Sequence, residues 1–473
     1  MFQSDAGLSR DGRFDLKNSF RNVPGSICAP LGFEAAAVFC DIKKLGTGKG
    51  SEKGQKRDLA LIVSDVPAGV AGMFTANQVC AAPVKVSAQR AAGKSARAIV
   101  VNSGNANACT GKQGLKDALE MTRLAAQAVA AVCDRRYKIK ADDILVCSTG
   151  RIGVPMPMKN VERGIHDCAP RVARSVRNAR DVAEAIMTSD TRRKEIAVEF
   201  GLGRSKVRIG GVCKGAGMIQ PGMTVGTGLR PVGTARSVVA TKHATMLAFL
   251  TTDAVVESRF LKKSLATAVG QSFNRITVDG DMSTNDSVII LANGLAGNRR
   301  LDPAAAGPYR EKFQSALNHV CLALAKMIVR DGEGVSRFVT VRVRGARSPD
   351  DAEAAARAIA NSSLVKTSWC GGDPNWGRVL CAVGYSRARV DESIVDVGYS
   401  RPGERKILYG FRRGRPTDLP FQKLAGITAA AEFDVHVDLH SGSSEFVLYA
   451  SDLTENYVAF NKGDVSDPTN LGG

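Results

Sequence analysis

ATMLAFLTTDA, residues 244–254, sets Met246, Ala248 and Leu250 on one side of an extended chain and Leu247, Phe249 and Thr251 on the other. A short apolar run with both sides nonpolar predicts a strand buried on both faces, as in the middle of a sheet covered by helices. The run begins at Ala244 and Thr245, directly after a stretch from Gly201 to His243 where Gly, Thr, Val and Lys/Arg dominate and helical periodicity disappears. We read that stretch as a long loop. A structureless loop of such length inside a compact domain is usually functional or a linker, so its junction with the strand is where chemistry is sought.

Outward from this junction, β-rich runs recur: LALIVS from Leu59, AIVVNSG from Ala98, FVTVRVRG from Phe338 and FDVHVDLH from Phe433. Helical stretches lie between them. Leu115, Leu119, Thr122, Ala126 and Val129 fall on one face of a helix expected from Leu115 to about Cys133. Leu317, Val320, Cys321, Leu324 and Ile328 stripe another that ends near Arg330. A third follows Ser348, placed as an N-cap before Pro349 with Asp350 and Asp351 in the first turn. Strands alternating with helices predict a mixed α/β fold.

The chain has 473 residues, 44% apolar and 23% charged, enough for two packed domains or one large α/β body, and no apolar run approaches the length of a membrane helix. The first two dozen residues mix Arg10, Arg13, Lys17 and Arg21 with Asp5, Asp11 and Asp15 and lack a secretory apolar core. Eleven scattered cysteines form no C-x-x-C pair and no zinc spacing, which predicts reduced thiols in a reducing compartment: the cytoplasm, or the mitochondrial matrix in a eukaryote. His436 and His440 sit in an alternating stretch that reads as a strand, so they are expected as packed or surface residues and not as metal ligands. The net charge of +19 could attract nucleic acid or small anions. Against nucleic acid, aromatic residues are only 5% and none is interleaved with basic runs as a stacking platform. The densest basic run, Lys43 to Arg57, is Gly-rich and lacks the order of a phosphate loop.

KGAGMIQPGM from Lys214, followed by ATMLAFLTTDA, resembles the self-processing signature of the ornithine acetyltransferases, also called bifunctional glutamate N-acetyltransferases, of arginine biosynthesis. Further blocks resemble the same family in the same order: GMFTANQVCAAPV from Gly72, VNSGNANACTG from Val101, STGRIGVP from Ser148, MTSDT from Met187, ITVDGDMSTNDSV from Ile276, DGEG from Asp331 and GDPNWGR from Gly372. The resemblance implies a layered α/β sandwich of the aminopeptidase and ornithine acetyltransferase type. It also implies scission between Ala244 and Thr245, giving an α chain of residues 1–244 and a β chain of residues 245–473, with two of each in the assembly. The freed α-amine, with an ordinary pKa of about 7.7, would take the proton from the Thr245 hydroxyl and so activate it.

By the same resemblance, Thr110 and Gly111 form the oxyanion hole, and Thr188, Lys214, Thr245, Glu333, Asn461 and Ser466 contact substrate. The implied reaction carries acetyl from N-acetylornithine to glutamate with no cofactor, and bifunctional members also accept acetyl-CoA as donor. Two departures from the family pattern stand out. Twenty residues, Thr224 to His243, separate the KGAGMIQPGM block from Thr245 and bring a second Ala-Thr step at Ala240 and Thr241. The C-terminal block reads NKGDVS, keeping Asn461 and Ser466 with altered residues between them. Two rival functions are an N-terminal-threonine aminopeptidase or amidase on the same scaffold, in which water resolves the acyl-enzyme, and a basic RNA-binding protein with a disabled site.

Overall fold

The structure is a computed structural model that describes residues 20–43, 56–132, 138–225 and 245–462. Ala244, Ser466, the Ala240–Thr241 step and most of the basic run lie outside these residues. The fold is α/β and is built on two mixed sheets, as expected. The larger sheet has ten strands and runs in the order Arg21–Asn22, Lys194–Leu202, Ser205–Lys214, Leu247–Thr252, Ser287–Ala292, Leu59–Thr75, Ser95–Asn105 and Ile144–Arg151. Phe33–Val38 and Met223–Val225 also pair with Leu59–Thr75. The smaller sheet has seven strands, in the order Ile276–Thr277, Ser444–Ser451, Phe338–Ala346, Glu432–Asp438, Asp396–Ser400, Leu408–Arg412 and Arg415–Pro416.

Leu247–Thr252 lies near the middle of the larger sheet, and every one of its residues is buried. Alternation divides its side chains between two cores. Met246, Ala248 and Leu250 join Leu261 and Leu265 of helix Ser258–Gly270 and Leu317, Val320, Leu324 and Ile328 of helix Gly307–Arg330. Leu247 and Phe249 join Ile62, Ile289 and Leu291 with Ala179 and Val182 of helix Val176–Ala185. Burying a side chain such as Phe249 stabilises by roughly 1.5–3 kcal/mol, and helices on both faces explain why the strand tolerates no polar side. The smaller sheet packs Val339, Val341, Val435 and Val437 against the alanine face of helix Pro349–Asn361. That helix starts as its sequence predicts, with the Ser348 hydroxyl accepting from the Asp351 N–H at 3.1 Å.

Two expectations need correction. Gly201 to His243 is not a loop throughout. Lys194–Leu202 and Ser205–Lys214 form a hairpin, and Met223–Val225, which takes the first residues of the inserted stretch, is a further short strand. The glycines that suggested a loop are packing residues of a strand. A Cβ on Gly210 would meet the Ser26 carbonyl oxygen at 1.9 Å, and one on Gly211 would meet Leu250 and Leu324 at 2.7 and 2.9 Å. The helix expected from Leu115 starts earlier, at Gly111, and its described part ends at Val132. Thr122, Ala126 and Val129 of the expected stripe are buried, whereas Leu115 and Leu119 are exposed and the first turns bury Ala118 and Met121 instead. The stripe from Leu317 to Ile328 is buried as read.

All ten described cysteines are free thiols. His436 lies on strand Glu432–Asp438 with Nε2 at 2.9 Å from the Ser400 hydroxyl, whereas His440 lies past its end and pairs with Asp396 at 3.0 Å. The two rings serve separate structural contacts. Among the described residues, no helix is long and apolar enough to cross a membrane.

Candidate active site

Thr245 is the residue just before the central strand and is 3% exposed. Its Oγ1 lies 2.9 Å from the Ser283 Oγ. Ser283 is itself held: its Oγ accepts the Asn285 N–H at 3.1 Å and its carbonyl accepts the Thr75 hydroxyl at 2.6 Å. The reason these segments meet is register. Leu247–Thr252 and Ser287–Ala292 are parallel, with Ser287 opposite Leu247, so the residues leading into both strands run side by side. Asp286 consequently reaches the Met246 N–H, which it accepts at 2.9 Å.

Asn285 ties this wall to the turn that precedes helix Gly111–Val132. Its Nδ2 donates to the carbonyls of Ala106 and Ser148 at 2.7 and 2.9 Å. The turn is tightly wound, with left-handed backbone at Gly104, Asn107, Cys109 and Gly111. Non-glycine residues held there mark backbone the surroundings must fix. Thr110 and Gly111 thus sit at a helix start, where backbone N–H groups lack helical partners. The Thr110 hydroxyl donates to the Asn107 side-chain oxygen at 2.7 Å, and a Cβ on Gly114 would stand 1.8 Å from the Thr110 Oγ1. To serve an oxyanion, that hydroxyl must turn its proton away from Asn107.

Lys214 ends the strand antiparallel to Leu247–Thr252, directly opposite Leu247, and is fully buried. Its Nζ donates to the Thr188 hydroxyl at 2.6 Å and to the Thr149 hydroxyl at 3.3 Å. The nearest carboxylate oxygen, on Asp190, is 4.0 Å away. Asp190 is engaged elsewhere: it takes the Lys194 ammonium at 2.6 Å and the Gly215 N–H at 2.7 Å, and Lys194 also pairs with Asp331 at 2.5 Å. Burial alone would raise the Asp190 carboxyl, but Lys194 and Lys214 hold it well below the carboxylate range. For Lys214, burial wins and its ammonium titrates below the ordinary lysine value. It is a desolvated cation whose hydrogen bonds go to two neutral hydroxyls, a setting that favours an incoming carboxylate.

Glu333, in the turn after helix Gly307–Arg330, is 6% exposed, and burial raises its carboxyl above the usual range. Its Oε2 accepts the Asn461 Nδ2 at 3.0 Å, and its N–H donates to the Ala216 carbonyl at 2.8 Å. Gly217 makes room for this approach, since a Cβ there would lie 2.6 Å from the Glu333 carboxyl. Asp279 braces the same segment by accepting the N–H groups of Met218 and Ile219 at 2.6 and 2.9 Å. Burial pushes the Asp279 carboxyl up to about 6.

The structure therefore joins Lys214 with Thr188 and Glu333 with Asn461, and strand register places Lys214 opposite Leu247, two residues beyond Thr245. Thr110 and Gly111 are linked to Thr245 through Asn285 and Ser283 and not by a direct bond. Reading the sequence assigned no role to Thr149, Asp190, Ser283 or Asp286. Their blocks, STGRIGVP, MTSDT and ITVDGDMSTNDSV, were visible, but only strand register shows which side chains face the threonine.

The ArgJ family model matches residues 36–463. The arginine biosynthesis bifunctional protein of Symbiobacterium thermophilum is 44% identical over 439 residues, covering 93% of this chain and 98% of its own. The glutamate N-acetyltransferase of Methanocaldococcus jannaschii is 41% identical over 446 residues, again covering 93% of this chain and 98% of its own. Among solved structures, an arginine biosynthesis bifunctional protein from Bacillus halodurans is 37% identical with a TM-score of 0.42, covering 45% of this chain and 95% of that one. With a family match over most of its length and relatives above 40% identity across 93% of its residues, the chain belongs to the ArgJ family.

Proposed function

We propose that this chain cuts itself between Ala244 and Thr245 and then carries acetyl from N-acetylornithine to glutamate on the Thr245 hydroxyl, in arginine biosynthesis. The observation that carries the reading is the placement of Thr245: a buried hydroxyl at the head of a central strand, hydrogen-bonded to Ser283, two residues from the register position of a fully buried Lys214. In the first step Thr245 Oγ attacks the Ala244 carbonyl, the acyl group moves from nitrogen to oxygen, and water cleaves the resulting ester. This frees the Thr245 α-amine.

In the acetyl transfer, the neutral α-amine takes the hydroxyl proton as Oγ bonds to the acetyl carbon of N-acetylornithine. The tetrahedral oxyanion is met by the Thr110 hydroxyl and the Gly111 N–H, each such donor being worth about 3 kcal/mol. Collapse breaks the C–N bond and returns the proton to departing ornithine. Glutamate then enters, its amine attacks the acetyl ester, and N-acetylglutamate leaves with Thr245 restored. Lys214, steadied by Thr188 and Thr149, takes the α-carboxylate common to both substrates. Glu333, with Asn461, faces the amine end, and Ser466 completes the contacts. No cofactor enters these steps, and acetyl-CoA serves as a second donor. Two α and two β chains make up the working enzyme, in the cytoplasm.

Intact mass and N-terminal sequencing of the recombinant product test the scission: a fragment beginning Thr-Met-Leu-Ala-Phe is expected, and an uncut chain of 50.0 kDa refutes it. Incubation with N-acetylornithine, with and without glutamate, tests the transfer. N-acetylglutamate is the expected product, and acetate alone would favour the amidase.

A further inference from the structure

The parallel register that brings Ser283 to Thr245 also delivers a carboxyl group that the proposed reaction leaves unused. Asp286 is 0% exposed. One of its oxygens, Oδ1, accepts the Met246 N–H at 2.9 Å, while the other, Oδ2, has no hydrogen-bond partner. Buried polar atoms in folded proteins are almost always partnered, and a carboxylate oxygen left single calls for an explanation. The location supplies one. The Met246 nitrogen and the Thr245 nitrogen are separated by three bonds, which hold them within about 3.7 Å of each other. A carboxyl group bonded to the first is therefore placed beside the second, where its free oxygen can reach a newly released terminus.

We propose that Asp286 is the positioning residue for the α-amine of Thr245, its Oδ2 accepting an N–H from the new terminus once the chain is cut. The inference rests on the scission reading above. In the transfer step the Oγ proton passes to the α-amine, and the ammonium so formed lies against the Asp286 carboxylate. Asp286 takes no proton itself. The arrangement has the logic of a hydroxyl, a base and a buried carboxylate that orients the base and stabilises its cation. It also explains why a carboxyl group whose Oδ2 makes no hydrogen bond stays buried at the head of strand Ser287–Ala292.

The charged groups around this point are Lys214 on the neighbouring strand, Glu333 and Asp190 beyond it, and Asp279 from the loop before Ser283. Burial pushes the Asp286 carboxyl up to about 7 in the presence of these neighbours, and a cation arriving at Oδ2 favours its charged form.

Asp286→Asn tests the proposal, because the amide oxygen can still accept the Met246 N–H. The rate of acetyl-Thr245 formation is followed by intact mass of the β chain after mixing with N-acetylornithine, across pH. In the variant this rate is expected to fall about tenfold or more. Its acid limb is expected to move to lower pH, because an amine without the carboxylate loses its proton more readily. A limb at the wild-type position overturns the proposal, whatever the change in rate. If the variant stays uncut, a crystal structure of the cut wild-type protein decides: Oδ2 within hydrogen-bond distance of the Thr245 nitrogen supports the assignment, and a nitrogen turned away from Asp286 overturns it. An uncut wild-type chain sinks the scission reading first, whereas a cut chain with an unmoved acid limb sinks this proposal alone.

Discussion

Replacing Lys214 by methionine removes one charge while keeping an unbranched side chain in the same space. In the structure the Lys214 ammonium donates to two threonine hydroxyls and stands 4.0 Å from Asp190, so its strongest partner is still to come. A hydrogen bond to a charged group contributes about 1.5–3 kcal/mol, which corresponds to roughly 10- to 150-fold in kcat/KM. N-acetylornithine and glutamate share the α-carboxylate, so Lys214→Met should raise KM for both by similar factors. The effect on kcat should be smaller, as expected when binding is lost equally from ground and transition states.

Stability should change little in this variant. Asp190 keeps Lys194 at 2.6 Å and the Gly215 N–H at 2.7 Å, so no uncompensated charge is left behind. Steady-state kinetics with each substrate varied, together with thermal unfolding, checks both statements. The wild type adds a pH test. Burial lowers the Lys214 ammonium from its ordinary value of 10.5, so carboxylate binding should weaken as pH rises through a value below that. The reasoning is refuted if KM for only one substrate moves, or if neither does while the protein remains folded.

Thr245→Ala should remain a single chain of 50.0 kDa by intact mass, while Thr245→Ser should still be cut. Gly217→Ala places a Cβ 2.6 Å from the flexible Glu333 carboxyl, so thermal stability should hold nearly constant while KM for ornithine-bearing and glutamate substrates rises. Gly210→Ala meets a backbone oxygen at 1.9 Å, that of Ser26, and should cost about 1–3 kcal/mol of unfolding free energy, read in denaturant titration. Burial depresses His436 from 6.5 to about 4, so the unfolded chain binds its proton first and stability should be lost as pH falls between those values. The loss is at most about 3 kcal/mol, and His436→Asn should flatten that part of the stability profile.

The part of the fold legible in the sequence was the part set by short-range periodicity. Alternation in residues 246–251 placed each side chain on its correct core, and Ser348 capped the helix it was expected to cap. Ser205–Lys214 was misread because Gly210 answers to Ser26 and Gly211 to Leu250 and Leu324, all far away in sequence, and a local window sees only their flexibility. In the helix from Gly111 the stripe was right at Thr122, Ala126 and Val129 and wrong at its start, because exposed Leu115 and Leu119 look like core until the true neighbours are known. Lys214, Thr188, Glu333 and Asn461 were reached through resemblance, and the structure brings them together in pairs. Ser283 and Asp286 were not, since their relation to Thr245 exists only through the pairing of two strands whose first members, Leu247 and Ser287, stand opposite each other although 40 residues apart in sequence.

The position of the proposed cut follows from that same pairing. Leu247–Thr252 is flanked by Ser205–Lys214 on one side and Ser287–Ala292 on the other, and Ser287–Ala292 in turn pairs with Leu59–Thr75. Strands from before and after Thr245 therefore interleave in one sheet, and the cut does not fall between two separable bodies. Separating the products would open the ladder between Leu247–Thr252 and Ser205–Lys214 and that between Ser287–Ala292 and Leu59–Thr75, and would expose residues such as Leu247, Phe249 and Leu250 to water. A single peptide bond at the entrance to the strand contributes nothing to those contacts. A new terminus can thus appear at Thr245 with the surrounding wall of Ser283, Asp286 and Lys214 already in place, and this is what an alcohol activated by its own α-amine requires.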